Sequence, residues 1–333
     1  MITIAGRKWN PDCERLLADG AWGTEFMKRG LEQGDAPERM NIKNPDTVHQ
    51  VALEYLKAGS DIILTNSFSG NRCLLERHGL AEKTGEINRK AAEISAAAAA
   101  EFADAFSAAQ DTGQAQIGGA AGRRGAPDPG ATTRFFDRPL VAGSMGPTGK
   151  MVVMGEIGTD ELLGVFSQQA ESLAAGGADL LLIETMNDME EVRIAVRAAA
   201  KTGLPVISSV SYDKAPAGYR TMMGNSPEDC IEAALSEGAS VIGANCGTGI
   251  ENYMNLAKEL CSIANAPVWI KANAGLPELV DKEMVYRQSA EEYASFIPKL
   301  LDTGVSVVGG CCGTTPAFVA AMRKQLDTWL AAG

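Results

Sequence analysis

The chain has 333 residues, 45% of them hydrophobic, and a formal net charge of -12. It can bury one large core, and its acidity leaves no basic footprint for a nucleic-acid backbone or an anionic membrane, so neither is an expected partner. The only two histidines, His49 and His78, disfavour a histidine-based triad or metal site, whereas seven cysteines in a reducing compartment point to thiolate chemistry rather than a disulfide framework.

Met1 to Asn10 lacks the apolar run of a signal peptide, and later apolar runs are short or interrupted by charge, so the expected location is the cytoplasm. Short runs rich in Val, Ile and Leu then alternate with segments of helical period, as parallel strands buried on both faces do. The first strand is expected at Arg15 to Asp19. Asn44-Pro45 opens a helix that Gly59 ends, and Asp61 to Thr65 is the second strand. Ala91 to Ala100 is a helix-forming run. Beyond it, Gln110 to Pro129 is rich in Gly, Ala and Pro, and a flexible insertion is expected at about residues 108–137, a solvated excursion being favoured over an active-site lid. Strands follow at Pro139 to Gly143, Asp179 to Glu184 and Pro205 to Val210. Ser226-Pro227 opens a helix that Gly238 ends, ahead of strands at Ser240 to Asn245 and Pro267 to Ala272. Ser289 and Glu292 have capping-box spacing, and Tyr293, Phe296, Ile297, Leu300 and Leu301 form an inward stripe in a helix that Pro298 should kink. Val305 to Gly310 is the eighth strand. Eight strand–helix units, with no G-x-G-x-x-G after the first strand, favour a closed (β/α)8 TIM barrel over an open dinucleotide-binding sheet. No linker or repeat divides residues 1–333, which are expected to form a single domain. Helical period does not decide oligomeric state, so a homo-oligomer remains open.

In such a barrel the active site gathers at the C-terminal ends of the strands. That rule collects Asp19, Asn66, Ser144, Glu184, Ser211, Asn245, Cys246, Asn273, Cys311 and Cys312 on one face. Three thiolates can hold one zinc ion, with a fourth position left for water or substrate. Adjacent residues of a strand point to opposite faces, so Cys311 and Cys312 can share an ion only if the chain turns there, which Gly309, Gly310 and Gly313 permit. On the residues alone the alternative stays open that Cys246 is a small core residue and the pair merely packs at a strand end. Cys13, Cys73, Cys230 and Cys261 read as structural. A thiol reaching the fourth position would lose its proton and remain nucleophilic beside three donating sulfurs, ready to take an activated methyl group. A barrel for phosphorylated substrates, with its phosphate loop at Gly309-Gly310, is a competing reading, but the Cys-Cys pair stands in that loop.

Five motifs carry a resemblance: Asp19-Gly20-Ala21-Trp22-Gly23-Thr24-Glu25, Gly143-Ser144-Met145-Gly146-Pro147, Ile183-Glu184-Thr185, Gly243-Ala244-Asn245-Cys246 and Gly309-Gly310-Cys311-Cys312-Gly313-Thr314-Thr315-Pro316. Over nearly its whole length the chain resembles the homocysteine S-methyltransferase family. The resemblance implies Zn2+ held by Cys246, Cys311 and Cys312, which then carry the catalysis, and methylation of homocysteine to methionine. It implies Asp19 and Glu184 as partners of the homocysteine ammonium and the amides around Gly20 and Ala21 as partners of its carboxylate, with Asn245 and Ser144 orienting these groups. Family donors range from glycine betaine and related onium compounds to a methylated corrinoid. Trp22 is the one aromatic residue in these motifs suited to a cation cage, and Thr185 stands where animal betaine enzymes have an aromatic residue. Lys271-Ala272-Asn273-Ala274-Gly275-Leu276-Pro277 leans toward the homocysteine-binding module of cobalamin-dependent methionine synthase. A corrinoid donor would have to come on a separate protein, making this chain the homocysteine-activating subunit of a split enzyme, or a binding subunit that only presents the thiol.

Overall fold

The structure, a computed structural model, describes residues 1–32, 34–111, 136–216, 218–280 and 283–332. Eight short strands, β1 (Leu16–Leu17), β2 (Ile62–Leu64), β3 (Leu140–Met145), β4 (Leu180–Met186), β5 (Val206–Val210), β6 (Val241–Cys246), β7 (Val268–Ala272) and β8 (Val307–Gly310), form one parallel sheet. Their spatial order is β1-β8-β7-β6-β5-β4-β3-β2. The two ends meet: Ala18 bridges to Ile62, the Asp19 amide donates to the Ile62 carbonyl at 3.1 Å, and the Asp61 amide donates to the Leu17 carbonyl at 2.7 Å. The sheet is therefore the closed TIM barrel that the alternating pattern predicts.

Each strand lies within two residues of its predicted bounds because the signal has a physical cause. Every position of β2, β3, β5, β7 and β8 is buried, so apolar residues recur without alternation. Helices cover the outer face; in Thr159–Ala175, Leu162, Phe166, Ala170 and Leu173 form the buried stripe. The predicted helix starts hold. Pro45–Lys57 follows Asn44, and Ser226 and Ser289 each close a reciprocal capping box, with Asp229 and Glu292. At Pro298 the expected kink is a full break, into Ala290–Ala294 and Ile297–Asp302. The proline ring clashes with the carbonyl four residues back, and that residue is Ala294, where the first segment stops.

The helix expected over Ala91 to Ala100 runs from Thr84 to Asp111. Residues 112–135, the greater part of the expected insertion, lie outside the described residues. Two antiparallel hairpins stand on the C-terminal face, Asp213–Ala215 with Gly218–Arg220 after β5 and Pro277–Val280 with Glu283–Tyr286 after β7. Among the described residues no helix is long and apolar enough to cross a membrane.

Candidate metal and substrate site

Cys246 is the last residue of β6, and its φ of 64° lies in the left-handed region. Thr185, in β4, has a φ of 62°. Two non-glycine residues so placed store about 1–2 kcal/mol each, strain that persists only where the surroundings enforce it. Asn245 is the enforcer. Its Oδ1 accepts from the Thr185 amide at 3.0 Å and from Ser209 Oγ at 2.7 Å, while its Nδ2 donates to Thr185 Oγ1 at 2.7 Å and lies 3.5 Å from Cys246 Sγ.

Cys311 and Cys312 follow β8 directly. The Cys311 amide still donates to the Ala272 carbonyl as a strand residue would, at 2.8 Å, and the chain then turns. The Cys312 amide donates to Asn273 Oδ1 at 3.0 Å, and Thr314 Oγ1 donates to the Cys311 carbonyl at 2.7 Å. Of the glycines expected to permit the turn, Gly309 and Gly310 belong to β8, and Gly313, at φ 81°, makes it. A Cβ on Gly313 would lie 2.2 Å from the ring of Tyr286. The turn brings both sulfurs to the same side, and the three Sγ atoms of Cys246, Cys311 and Cys312 lie within 4.8 Å of one another, Cys246 and Cys311 at 3.2 Å.

This donor set fits a thiophilic dication. Tetrahedral zinc–thiolate bonds separate their sulfurs by about 3.8 Å, a spacing that the cluster brackets. Hydrogen bonds from Cys246 and then Cys311 hold Cys312 down to about 3, whereas its bonds with Cys311 and Cys312, together with burial, push Cys246 well up. A dication bound there would displace thiol protons.

Across the barrel mouth, Asp19 is fully buried and held by three protein donors. Trp22 Nε1 and the Leu64 amide each donate to its Oδ2 at 2.7 Å, and Lys271 Nζ donates to its Oδ1 at 2.7 Å. Trp22 thus anchors Asp19, its ring packed beside Phe26 and Tyr55. The Ala21 amide donates to the Thr314 carbonyl at 3.1 Å, which leaves the Gly20 amide of the expected pair. Glu184 accepts from Ser144 Oγ. Burial pushes its carboxyl up to about 7, opposed by the nearby Lys271 ammonium. Asn66 is engaged by the segment after β1, donating to the Pro37 carbonyl and to Asn41 Oδ1.

Lys271, Tyr286 and Ser209 join the site without a role expected from the sequence. A signal existed for the first, a cation inside the otherwise apolar run Val268-Trp269-Ile270-Lys271-Ala272. Tyr286 approaches Cys312 only because the hairpin after β7 folds back over the turn, and nothing in the local pattern marks that return.

Known proteins resemble this chain in sequence and in fold. The family model described as homocysteine S-methyltransferase matches residues 16–326. The chain is 28% identical over 320 residues to a methionine synthase of Mycobacterium tuberculosis, covering 91% of this chain and 24% of that protein, so it spans about a quarter of that relative. It is 28% identical over 329 residues to a selenocysteine Se-methyltransferase of Brassica oleracea var. italica, covering 93% and 88%. Among solved structures, the metallated form of the homocysteine methyltransferase MmuM from Escherichia coli superposes with a TM-score of 0.71 at 22% identity, over 95% of this chain and 100% of that one, a likeness of fold.

Proposed function

The chain belongs to the homocysteine S-methyltransferase family, and from that premise we propose that it is a zinc-dependent enzyme that methylates homocysteine to methionine. The observation that carries this reading is the convergence of Cys246, Cys311 and Cys312 from β6 and the turn after β8. Bound there, zinc would supply a vacant position and the positive charge that converts the incoming thiol to a thiolate at neutral pH. The chain's own residues do the rest. Asn245 fixes Cys246, and Asn273 fixes the turn that carries Cys312. Of the two buried acids at the mouth, Asp19 is paired with Lys271 and Glu184 has no salt-bridge partner among the described residues, so Glu184 is the group best suited to the substrate ammonium. The Gly20 amide would serve the substrate carboxylate. Seven free cysteines support a reducing compartment, the cytoplasm.

For the methyl donor we favour a small onium compound, glycine betaine or a relative, because a single-chain relative of similar length, the Se-methyltransferase, is covered over 88% of its length. A second reading, a methylated corrinoid carried on a separate protein, has an observation of its own. Phe68, Met151, Val153, Met154, Met222, Met223, Leu276 and Leu279 are all exposed large apolar residues, and all stand in loops after β2, β3, β5 and β7. Met-rich surfaces adapt to protein partners. Metal analysis of the purified protein, followed by homocysteine with betaine, dimethylsulfoniopropionate, S-methylmethionine or methylcobalamin, tests both readings. About one zinc per chain and methionine from an onium donor is the expected result; turnover undiminished in metal-free protein would overturn it.

A further inference from the structure

Lys271 is 2% exposed, at the inner mouth of the barrel, and among the described residues its ammonium donates one hydrogen bond, to Asp19. Two N–H bonds remain. A buried ion pair with no further role is a poor stabiliser, since apolar residues of the same volume do as well or better. The chain nonetheless makes room for this one. Lys271 pairs with Gly309 across β7 and β8, and a Cβ at Gly309 would come within 3.0 Å of Lys271 Cγ. Asp19 is fixed from the other side by Trp22 and Leu64, so it holds the lysine in one place. Glu184 and Cys311 are close enough for their charges to act on the ammonium.

The groups around a zwitterionic thiol then divide by sign. With its sulfur at the cysteine cluster, the substrate's ammonium is drawn to Glu184 and repelled from Asp19 by Lys271. Its carboxylate finds the Ala21 amide already engaged by Thr314 and has the Gly20 amide as its backbone donor. We propose that Lys271 binds the carboxylate of the thiol substrate, and that Asp19 is the positioning residue that holds Lys271 for this purpose rather than a direct partner of the ammonium. This assignment rests on the methyltransferase reading above.

Calorimetry on the zinc-loaded protein tests it with three thiols: homocysteine, 4-mercaptobutyrate, which lacks the ammonium, and 3-aminopropane-1-thiol, which lacks the carboxylate. Lys271→Met should weaken the first two by about 10- to 100-fold, the loss of one charge-assisted hydrogen bond, and leave the third unchanged, with zinc content intact and Lys271→Arg restoring most of the affinity. Because Lys271→Met strands a buried carboxylate, the double variant Asp19→Asn with Lys271→Met provides the same comparison without that charge, and the same selective loss is expected. Equal loss for all three thiols, no loss, or tighter binding of the aminothiol alone would overturn the assignment. Failure of every thiol to bind zinc-loaded wild-type protein would instead overturn the methyltransferase reading, and with it this one.

Discussion

Two buried carboxyls titrate near neutrality, and they give opposite kinds of test. Glu38 is 1% exposed, accepts from the Ser69 amide, and has no hydrogen bond to its Oε2; burial pushes it up to about 7. Its proton leaves near 4.5 in the unfolded chain and near 7 in the folded one, so folding is unpenalised below about 4.5. As pH rises through that window only the unfolded state gains from ionisation, and above about 7 the fold has lost on the order of 3 kcal/mol. Denaturant unfolding of wild type and Glu38→Gln should therefore show a stability difference that falls by about this much between pH 4.5 and 8; a difference independent of pH would contradict it. Glu184 acts in binding instead. If its ionised form holds the substrate ammonium, homocysteine affinity should rise as pH increases through about 7, and Glu184→Gln should flatten the profile and weaken binding by about tenfold or more. Alanine at Cys246, Cys311 or Cys312 should each reduce bound zinc to well under one per chain, read by metal analysis.

At the level of elements, the site depends on two backbone turns that the strands deliver to one place. Gly313 combines a φ of 81° with a Cβ position 2.2 Å from the Tyr286 ring, so Gly313→Ala must move either the turn or the hairpin Pro277–Val280 with Glu283–Tyr286. The substitution should weaken zinc binding at least tenfold in chelator competition while the far-ultraviolet circular dichroism stays that of the barrel. The strand and helix starts were legible because local rules produce them, capping at Ser226 and Ser289 and continuous burial along β3 and β7. The hairpins after β5 and β7 were not, since Asp213–Ala215 and Gly218–Arg220 are too short and too exposed to carry a burial pattern.

For the whole molecule, parallel closure turns eight separate strand ends into one rim, and that rim is apolar at Met151, Met154, Met222 and Leu279. If the donor arrives on a protein, Met154→Glu with Leu279→Glu should cut turnover with a methylated corrinoid protein by about tenfold or more while leaving zinc content and homocysteine affinity unchanged. Equal turnover by variant and wild type would favour the small donor.

The barrel could be read from the chain alone, because apolar runs and caps report burial and turns locally, and the three cysteines stood out by their place at strand ends. Which charges meet is fixed by the folded chain. Asp19 and Lys271 are 252 residues apart and share a hydrogen bond of 2.7 Å; pairing of that kind has no local period, since it is set by the registers of β7 against β8 and of β8 against β1.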